Sequence, residues 1–536
     1  MRYRLTTGAK VLISVIVVLA IGVGIYAGLS SGIIKNDTKE KVEQVKNAVH
    51  SVSKEDATEY AAGDEDAVIT MDKETTDTIN ISLDEWIGWK SILDSNGGTT
   101  TQPGSIYDQL GIKVNISIIN DGTQSSNALI NGDLDAAGYT INRTAFLSTK
   151  FKNAGINIIV PFVTNYSNGG DGIIASSNIK SVDDLVNARV GVPQFSEAHT
   201  LIVWFVNNSD LSKEDQKKII DNLIFFDTPD EAAKAFFAGE LDAAATWEPY
   251  LTQAESMSDA HALFTTKAST GLVMDEITFN KKFADEHPDV VNKFIQGALM
   301  AADMYTTDLS TIKKVMPMFS TATDEEILDN CAGAKLATWK DNVDLLNGNA
   351  KTIYTDMCDV WASIGESAEK DEVDAIFTDQ YIQNLKGQFA EDATSYDEKV
   401  VVSEENEEEV INAEAMLKKS ASVQFIKSTA KFSDSKEAKE QLDAFIKIAK
   451  VLDGSIIQVE GNTDPNPISD PDDKLNKKLS KSRADTVKKY LVMNGIDADR
   501  IVTVGNGSSK PVADNDTEEN RAKNRRTDIS FKMIER

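Results

Sequence analysis

Near the C-terminus, an arginine falls within the apolar pattern of a predicted helix. Arg483 recurs at the four-residue spacing of Leu479 and Val487, so its guanidinium starts from the buried face and needs an anion. It also lies near the helix start, where outward-pointing N–H groups favour a carboxylate. Asp464, at the end of the preceding predicted strand, is available for an ammonium group. The pair suits a zwitterionic amino-acid end, or the two side chains pair with each other.

The elements around this pair predict a small α+β domain over residues 416–536. Strands and helices alternate in the order β-α-β-α-β-β, which suits one sheet with helices on one face. Along nearly its whole length this block resembles the OmpA-like peptidoglycan-binding domains. The resemblance rests on the order and spacing of these words: Gly461-x-Thr463-Asp464, Asn476-x-x-Leu479-Ser480-x-x-Arg483-Ala484, Gly505-x-Gly507, Pro511, Asn515, Arg521 and Asn524-Arg525-Arg526.

The resemblance implies that this domain binds a wall peptide of the diaminopimelate type, whose free end carries both an ammonium and a carboxylate. It assigns the contacts to Asp464, Asn476, Arg483 and Arg525. The sequence departs from the family pattern at Asn462, where the family commonly has His, and in the long acidic loop 465–475.

A second set of candidate binding residues follows predicted strands in the middle of the chain. Trp86 and Trp89 come after the first strand, where aromatic faces hold an apolar or cationic body, or pack in the core. Ser196 opens a predicted helix whose N-terminus suits an anion such as sulfonate or carboxylate, or serves as an ordinary N-cap.

Two nearly identical sequence motifs predict how the middle of the chain folds. NGDLDAA spans residues 131–137 and AGELDAA spans residues 238–244. In each, glycine ends a helix in the left-handed conformation and a Leu-Asp pair leads into a buried strand. Either copy alone is a common helix-to-strand turn. Both together predict two similar lobes whose strand-end loops face a shared cleft.

These residues resemble the two-lobed solute-binding proteins of ABC importers, in the branch associated with nitrate, sulfonates, taurine and thiamine precursors. The match spans 77–385 and rests on NALINGDLDAAGYT, SVDDLVNARVGVPQFSEAHTLI and DEAAKAFFAGELDAAATWEPY. It implies a periplasmic-binding-protein fold of type II, lobes that close by a hinge, and a ligand held at strand ends. Thr140, Trp247 and Glu248 face the cleft by this resemblance, beside the candidates Trp86, Trp89 and Ser196.

The charge of the candidate solute site leaves its ligand class open. A bare anion would be repelled by the nearby carboxylates of Asp84, Glu85 and Glu248. A zwitterion or a neutral or cationic heterocycle is therefore an alternative to sulfonate or nitrate.

The coarse pattern of residues 77–385 agrees with an α/β fold. Strand-like runs such as KVNISII and INIIVPFV alternate with helical stretches such as PDEAAKAFFAGE. Such alternation is typical of largely parallel sheets.

The N-terminus predicts a membrane anchor. Residues 11–34 carry no charge and follow Arg2, Arg4 and Lys10, so the run is long enough to span a bilayer, with its start in the cytoplasm. We therefore predict a transmembrane anchor in 1–34, a polar stalk in 35–76 and an acidic linker in 386–415. The chain beyond residue 35, which is the bulk of the protein, is then extracytoplasmic, and this extracytoplasmic part contacts the cell wall.

Composition narrows the function classes. A net charge of −30 argues against affinity for nucleic acid. The two cysteines, Cys331 and Cys358, either pair or are buried free thiols. Without H-E-x-x-H, G-x-S-x-G or Walker-type motifs the sequence predicts no enzyme, no metal site and no cofactor.

The sequence therefore predicts a membrane-anchored solute-binding protein tethered to peptidoglycan, which delivers its solute to an ABC permease. The alternative is a structural membrane-to-wall tether or a ligand sensor without a transport role. A stator-type tether is disfavoured, because the predicted span has no ionisable residue for ion conduction.

Overall fold

The computed structural model describes residues 77–269, 271–304, 308–392, 401–403, 406–421, 423, 425, 429–432, 436–465 and 472–533. The predicted anchor and stalk, residues 1–76, lie outside these ranges. Within them, every helix is too short or too polar to cross a bilayer.

The first lobe is a seven-stranded sheet covered by helices. Strands β1, β2 and β3 are parallel, whereas β4, β5 and β3 all pair antiparallel with β11, and β12 pairs antiparallel with β5. Its strands are β1 Thr78–Leu83, β2 Lys113–Ile118, β3 Ala136–Thr140, β4 Ile158–Ile159, β5 Val163–Ser167, β11 Met274–Asn280 and β12 Ala334–Leu336. Its helices up to β5 are α1 Lys90–Asn96, α2 Ile106–Leu110, α3 Gly122–Asn131 and α4 Ile141–Asn153.

The second lobe is inserted between β5 and β11. Its sheet has the order β10-β6-β9-β7-β8, with β7, β8 and β9 parallel. Its strands are β6 Asp171–Ser176, β7 Val190–Pro193, β8 Ile224–Phe226, β9 Ala243–Trp247 and β10 Ala260–Thr265. Its helices are α5 Glu197–Asn208, α6 Lys213–Asp221, α7 Pro229–Phe237 and α8 Tyr250–Glu255.

After β10 the chain returns to the first lobe and adds a helical layer. These helices are α9 Lys281–Glu286, α10 Pro288–Met304, α11 Ser310–Val315, α12 Asp324–Ala332, α13 Trp339–Asp344, α14 Ala350–Ser363, α15 Val373–Ile376 and α16 Gln380–Asn384. The chain thus passes between lobes twice, at residues 168–170 and 266–273. Two crossings are the arrangement that a hinge requires, because few residues then absorb the bending.

The duplicated motif has the same structural role in both lobes. Gly132 and Gly239 end their helices with φ of 78° and 76°. The Asp135 carboxylate then accepts the backbone N–H of Asn80 at 2.9 Å, and the Asp242 carboxylate accepts that of Arg189 at 2.8 Å. Each aspartate therefore fixes its turn to the neighbouring strand, which confirms the prediction of two lobes built alike.

The C-terminal domain has a four-stranded sheet of order β13-β16-β14-β15, with the strands β13 Leu417–Ala421, β14 Ile456–Asn462, β15 Ile501–Gly507 and β16 Thr527–Lys532. Helices α18 Lys436–Val451, α19 Lys474–Met493 and α20 Glu518–Asn524 complete it. The first strand ends at Ala421, and after it Phe425 and Phe432 form an isolated bridge. Helix α20 was not predicted, since its seven residues show no apolar period.

A short helix of the predicted linker packs on this domain. In α17, Glu407–Asn412, the side chain of Val410 is fully buried against Ile456 and Val502. The Lys532 ammonium donates to the Val410 carbonyl at 2.9 Å. The charge run SEENEEEV therefore ends in a packed helix rather than in a wholly solvated segment.

The C-terminal domain also contacts the second lobe at its crossing segment. The Ser269 hydroxyl donates to the Val451 carbonyl at 2.5 Å, and the Gly454 N–H donates to the Ala268 carbonyl at 3.1 Å. Farther along, the Ser420 N–H donates to the Asp210 carboxylate at 2.7 Å. The two domains therefore share a hydrogen-bonded face.

Both cysteines are buried free thiols. Burial raises the pKa of Cys331 to about 11 and that of Cys358 to about 12. Both are therefore un-ionised at neutral pH and poor nucleophiles.

Candidate functional site

Polar side chains of the first lobe gather at the carboxyl edge of its parallel strands. Asp84 follows β1 and Thr140 ends β3. Strand β11 runs antiparallel, so its start lies at the same edge, with Asp275 opposite Thr140 on one side and opposite Asn165 on the other. This register places a polar row along one rim of the sheet.

The second lobe presents a matching edge. Asp171 at the start of β6 lies opposite Trp247 at the end of β9. After β7, Glu197 stands in the first turn of α5, where its carboxylate suits the positive end of the helix. Asp171 and Glu197 are only 5% and 8% exposed.

Side chains of the two lobes touch across this region. Arg143 in α4 pairs with Glu197 at 3.4 Å, and the Asn142 amide donates to the Thr200 hydroxyl at 2.8 Å. The rings of Phe146 and Phe195 stack with their centroids 4.8 Å apart. The two carboxyl edges therefore face each other.

Trp86 lies between the two rims. Its indole N–H donates to the Asn165 side-chain oxygen at 3.0 Å, and its ring lies against Gly170, the residue before Asp171. A Cβ on Gly170 would fall 2.7 Å from that ring, and one on Gly88 would fall 2.1 Å from the Asn165 oxygen. Glycine at these two positions is what admits the tryptophan.

Burial and mutual repulsion make the carboxylates of the site weak acids. Burial, with repulsion from Glu197 and Asp84, raises the pKa of Asp171 to about 7. Burial likewise raises the pKa of Asp275 well above its ordinary value, with added repulsion from Asp84, Asp171 and Glu197. Burial also raises the pKa of Asp84, although the hydrogen bond from Trp89 acts to lower it. The site is therefore an acidic, poorly solvated enclosure.

The structure brings some of the predicted solute residues together at this edge. Trp86 lies at the centre. The Thr140 and Ser196 hydroxyls accept the N–H groups of Arg143 and His199 as helix N-caps, at 3.1 and 3.2 Å. The Ser196 hydroxyl also donates to the Pro193 carbonyl at 2.7 Å. Its hydrogen and one of its lone pairs are therefore both used in hydrogen bonds within the second lobe.

The remaining predicted residues lie less centrally. Trp89 is fully buried in the core and reaches the site only through its N–H, which donates to Asp84 at 2.6 Å. Trp247 is half-buried at the lobe edge. The Glu248 carboxylate accepts both the N–H and the hydroxyl of Thr252 at the start of α8, at 3.1 and 3.0 Å.

Several site residues were not among the predicted set: Asn142, Arg143, Asn165, Asp171, Glu197 and Asp275. One signal was present for Asp275, since a charged pair interrupts the apolar run GLVMDEITF, which otherwise indicates a buried strand. Asp171 similarly follows two glycines and opens the run GIIAS.

In the C-terminal domain, the predicted wall-binding residues surround the end of β14. Arg525 pairs with Asp464 at 3.2 Å, and the Asn476 amide donates to the Asp464 carbonyl at 3.4 Å. Arg483 is 7% exposed, lies 5.0 Å from the centre of the Phe425 ring and donates through Nε to the Thr429 carbonyl at 3.2 Å.

Burial lowers the pKa of Arg483, and the charge of Asp464 opposes that effect while Arg525 adds to it. Two guanidinium groups and one carboxylate therefore act on one small region. Asn462, at the position of the family's usual His, is buried and donates to Asp528 at 3.0 Å.

No three His, Cys, Asp or Glu side chains in the part of the chain that the structure describes are placed to hold a metal ion together.

Comparison with protein families identifies the two folded blocks. The family model described as NMT1/THI5 like matches residues 105–308, and the model described as OmpA family matches residues 424–525. The chain therefore combines an NMT1/THI5-like domain with a C-terminal OmpA domain, and both resemblances read from the sequence are confirmed.

Individual relatives match one block each. Outer membrane protein A of Bordetella avium is 43% identical over 107 residues, which cover 20% of this chain and 51% of that protein. The Peptidoglycan-associated lipoprotein of Buchnera aphidicola is 43% identical over 75 residues, which cover 14% of this chain and 41% of that protein. The Putative aliphatic sulfonates-binding protein of Bacillus subtilis is 37% identical over 100 residues, which cover 16% of this chain and 30% of that protein. The chain thus spans about half or less of these relatives.

Among solved structures, the periplasmic aliphatic sulphonate binding protein SsuA from Escherichia coli is similar, with a TM-score of 0.44 and 15% identity. The match covers 57% of this chain and 99% of that one.

Proposed function

We propose that this chain is an extracytoplasmic solute-binding protein that captures a small molecule between its two lobes and is held to peptidoglycan by its C-terminal domain. The observation that carries the proposal is the meeting of the two carboxyl edges around buried polar side chains from both lobes. Clefts between strand ends are the usual ligand sites of such α/β folds.

Capture works by closure around two crossing segments. With the lobes apart, Asp84 and Asp275 on one rim and Asp171 and Glu197 on the other are open to water. A solute that contacts both rims stabilises the closed arrangement, because its affinity for that state exceeds its affinity for the open one. The Arg143–Glu197 pair and the stacked phenylalanine rings form on closure and exclude water from the ligand.

For the wall domain, Asp464 and Arg483 supply the opposite charges that a zwitterionic peptide end requires, and Arg525 and Asn476 orient Asp464. The Buchnera relative is named a peptidoglycan-associated lipoprotein, which agrees with this assignment. The strongly acidic chain is expected to bind no nucleic acid.

The predicted N-terminal span completes the proposal. It anchors the protein in the cell membrane, so that the captured solute reaches an ABC permease in that membrane. No bond is made or broken, so the protein acts as a binding protein and not as an enzyme.

The alternative is a membrane-to-wall tether or ligand sensor without a transport role. The hydrogen bonds between the C-terminal domain and the crossing segment favour it, because they join wall attachment to the hinge.

A thermal-shift screen of the full chain tests solute capture. Sulfonates, nitrate, bicarbonate, amino acids, amines and vitamin precursors are added singly, and a true ligand raises the unfolding temperature saturably. At a hundredfold excess over Kd, binding adds about 2.7 kcal/mol of stability. Trp86→Ala should abolish the shift, while the surface variant Lys217→Ala should retain it. Absence of any saturable shift contradicts solute capture and favours the tether.

A further inference from the structure

Four carboxylates converge on the cleft, two from each lobe. Asp84 and Asp275 belong to the first lobe, and Asp171 and Glu197 to the second. The cation that acts on this group is Arg143, which already pairs with Glu197 at 3.4 Å. Carboxylates therefore outnumber the guanidinium by a wide margin in a poorly solvated space.

One of these carboxylates is incompletely satisfied. Asp275 is 4% exposed, and its Oδ2 atom has no hydrogen-bond partner among the residues that the structure describes. The indole N–H of Trp86 donates to the Asn165 side-chain oxygen at 3.0 Å, and it also lies close enough to Asp275 to oppose the rise in the pKa of that carboxyl. A buried carboxylate oxygen without a donor costs free energy, so such oxygens normally find one. An ammonium or guanidinium supplies the hydrogen-bond donor that an ionised carboxylate oxygen needs.

The aromatic residue at the centre of the group is suited to the same ligand. Trp86 spans from Asn165, the cross-strand neighbour of Asp275, to Gly170, the neighbour of Asp171. Its ring therefore lies among the carboxylates. The face of an indole attracts a cation that lies within about 6 Å of the ring.

Other ligand classes fit this enclosure poorly. A sulfonate or nitrate would meet the surplus carboxylates, with Arg143 already engaged and the Ser196 hydroxyl bonded to Pro193 and His199. Burial lowers the pKa of His199 to about 4, so this imidazole is uncharged at neutral pH. The carboxylates are also not arranged to share a metal ion, as far as the described residues go.

We infer that the cleft takes an organic cation, whose ammonium or guanidinium group is held between Asp275 and Asp171 against the ring of Trp86. The inference rests on the proposed function and narrows its ligand to a class opposite in charge to sulfonate. The cation supplies the donor that Asp275 Oδ2 lacks and neutralises the repulsion between the two rims. Lobe closure then requires the positive charge.

Calorimetric titration of the full chain tests this with matched probes. Agmatine and putrescine, whose charged groups carry N–H donors, are the cationic probes; hexanesulfonate, taurine and nitrate are the others. We expect saturable binding of at least one cation and none of hexanesulfonate or nitrate. Asp275→Asn should weaken that binding at least tenfold, while Glu240→Gln, an exposed acid of the second lobe, should leave it unchanged.

A measurement without ligand separates this role from a structural one. In the ligand-free chain, Asp275→Asn should raise the unfolding temperature, because the Asp275 carboxyl is buried, unsatisfied at Oδ2 and placed beside other acids. A carboxylate with a structural partner would instead lower that temperature on the same substitution. A lower unfolding temperature therefore contradicts the inference.

The outcomes also separate the inference from the proposed function. Binding of hexanesulfonate or nitrate without any cation overturns the cationic ligand and leaves solute capture standing. Failure of every probe, cationic and anionic, contradicts both.

Discussion

At the scale of single residues, the two sites use charge in different ways. Arg483 of the wall domain is a buried cation near an acidic partner, whereas Asp171 and Asp275 of the cleft are buried acids with surplus charge. In the proposed function, each buried group makes its site selective, because a charged group in a low-dielectric space favours a ligand of opposite sign.

Replacement of Arg483 tests the wall site. We expect Arg483→Ala and the isosteric Asp464→Asn each to abolish co-sedimentation of the full chain with purified peptidoglycan. Each substitution removes one of the two charges that bind a zwitterionic peptide end. Circular dichroism checks that the variants fold, and Lys523→Ala, on the exposed face of α20, serves as the control. Sedimentation of both variants equal to that of the unaltered protein would show that the site is elsewhere.

The buried acids also predict a pH dependence of stability. Burial raises the pKa of Asp171 to about 7 and that of Glu276 to about 8. Both values exceed those of the unfolded chain, so the folded state binds these protons more tightly and loses stability as pH rises through them. The opposite effect of His199 is complete by about pH 7, whereas Lys532, whose pKa burial lowers to about 8, offsets part of the loss above pH 7.

Urea unfolding should therefore show the free energy of unfolding falling by about 1 to 2 kcal/mol between pH 7 and pH 8. Glu276→Gln keeps an acceptor for the Thr278 hydroxyl, which now bonds the carboxylate at 2.8 Å, and should reduce the slope. A stability that is flat or rising over this window would contradict the buried-acid assignment.

At the scale of elements, the sequence predicted more of the framework than of the site. Glycine-terminated helices followed by Leu-Asp are local signals, and Gly132 and Gly239 behave alike in both lobes. Strand limits were less predictable. The run INIIVPFV is split into β4 and β5 because Pro161 lacks the N–H that a continuous strand needs.

The site residues were harder to predict because they depend on pairing between distant strands. Thr140, Asn165 and Asp275 become neighbours only through the antiparallel return of β11, which brings its first residues to the carboxyl edge. Trp89, for which the sequence allowed either ligand contact or core packing, lies in the core. A tryptophan beside a strand end has no local sequence feature that distinguishes these two positions.

Close packing of α19 on β14 gives a prediction for the wall domain. A Cβ on Gly461 would lie 2.1 Å from the carbonyl oxygen of Ser480, which is backbone and cannot move aside. Gly461→Ala should destabilise this domain by about 1 to 3 kcal/mol in denaturant unfolding. Gly348→Ala, where a Cβ meets no atom within 4 Å, is the control. Equal unfolding of the two variants would contradict this packing.

At the scale of the whole molecule, the contact between the wall domain and the crossing segment is the feature that joins the two functions. Its hydrogen bonds involve Ala268 and Ser269, which precede the return to the first lobe. In the proposed closure, a domain bound at this place restricts the crossing segment, which would have to bend.

A glycine packs closely at the centre of the contact with the crossing segment. A Cβ on Gly454 would lie 2.1 Å from the Lys267 carbonyl oxygen, so Gly454→Ala should separate the domains without entering either core. We expect calorimetry of the variant to show two separated unfolding transitions and unchanged peptidoglycan binding. Lys234→Ala, remote on α7, is the control. An unfolding profile identical to that of the unaltered chain would contradict the docked arrangement.

The distance between the lobes tests the central claim most directly. Spin labels at Gln124 in α3 and Lys234 in α7, both exposed, report on helices that begin at the two facing rims. Agmatine, putrescine, hexanesulfonate and nitrate are each added at saturating concentration to the doubly labelled full chain. The account predicts a shorter and narrower distance distribution with at least one cation. A distribution unchanged by every compound would contradict the closing of two lobes over a solute.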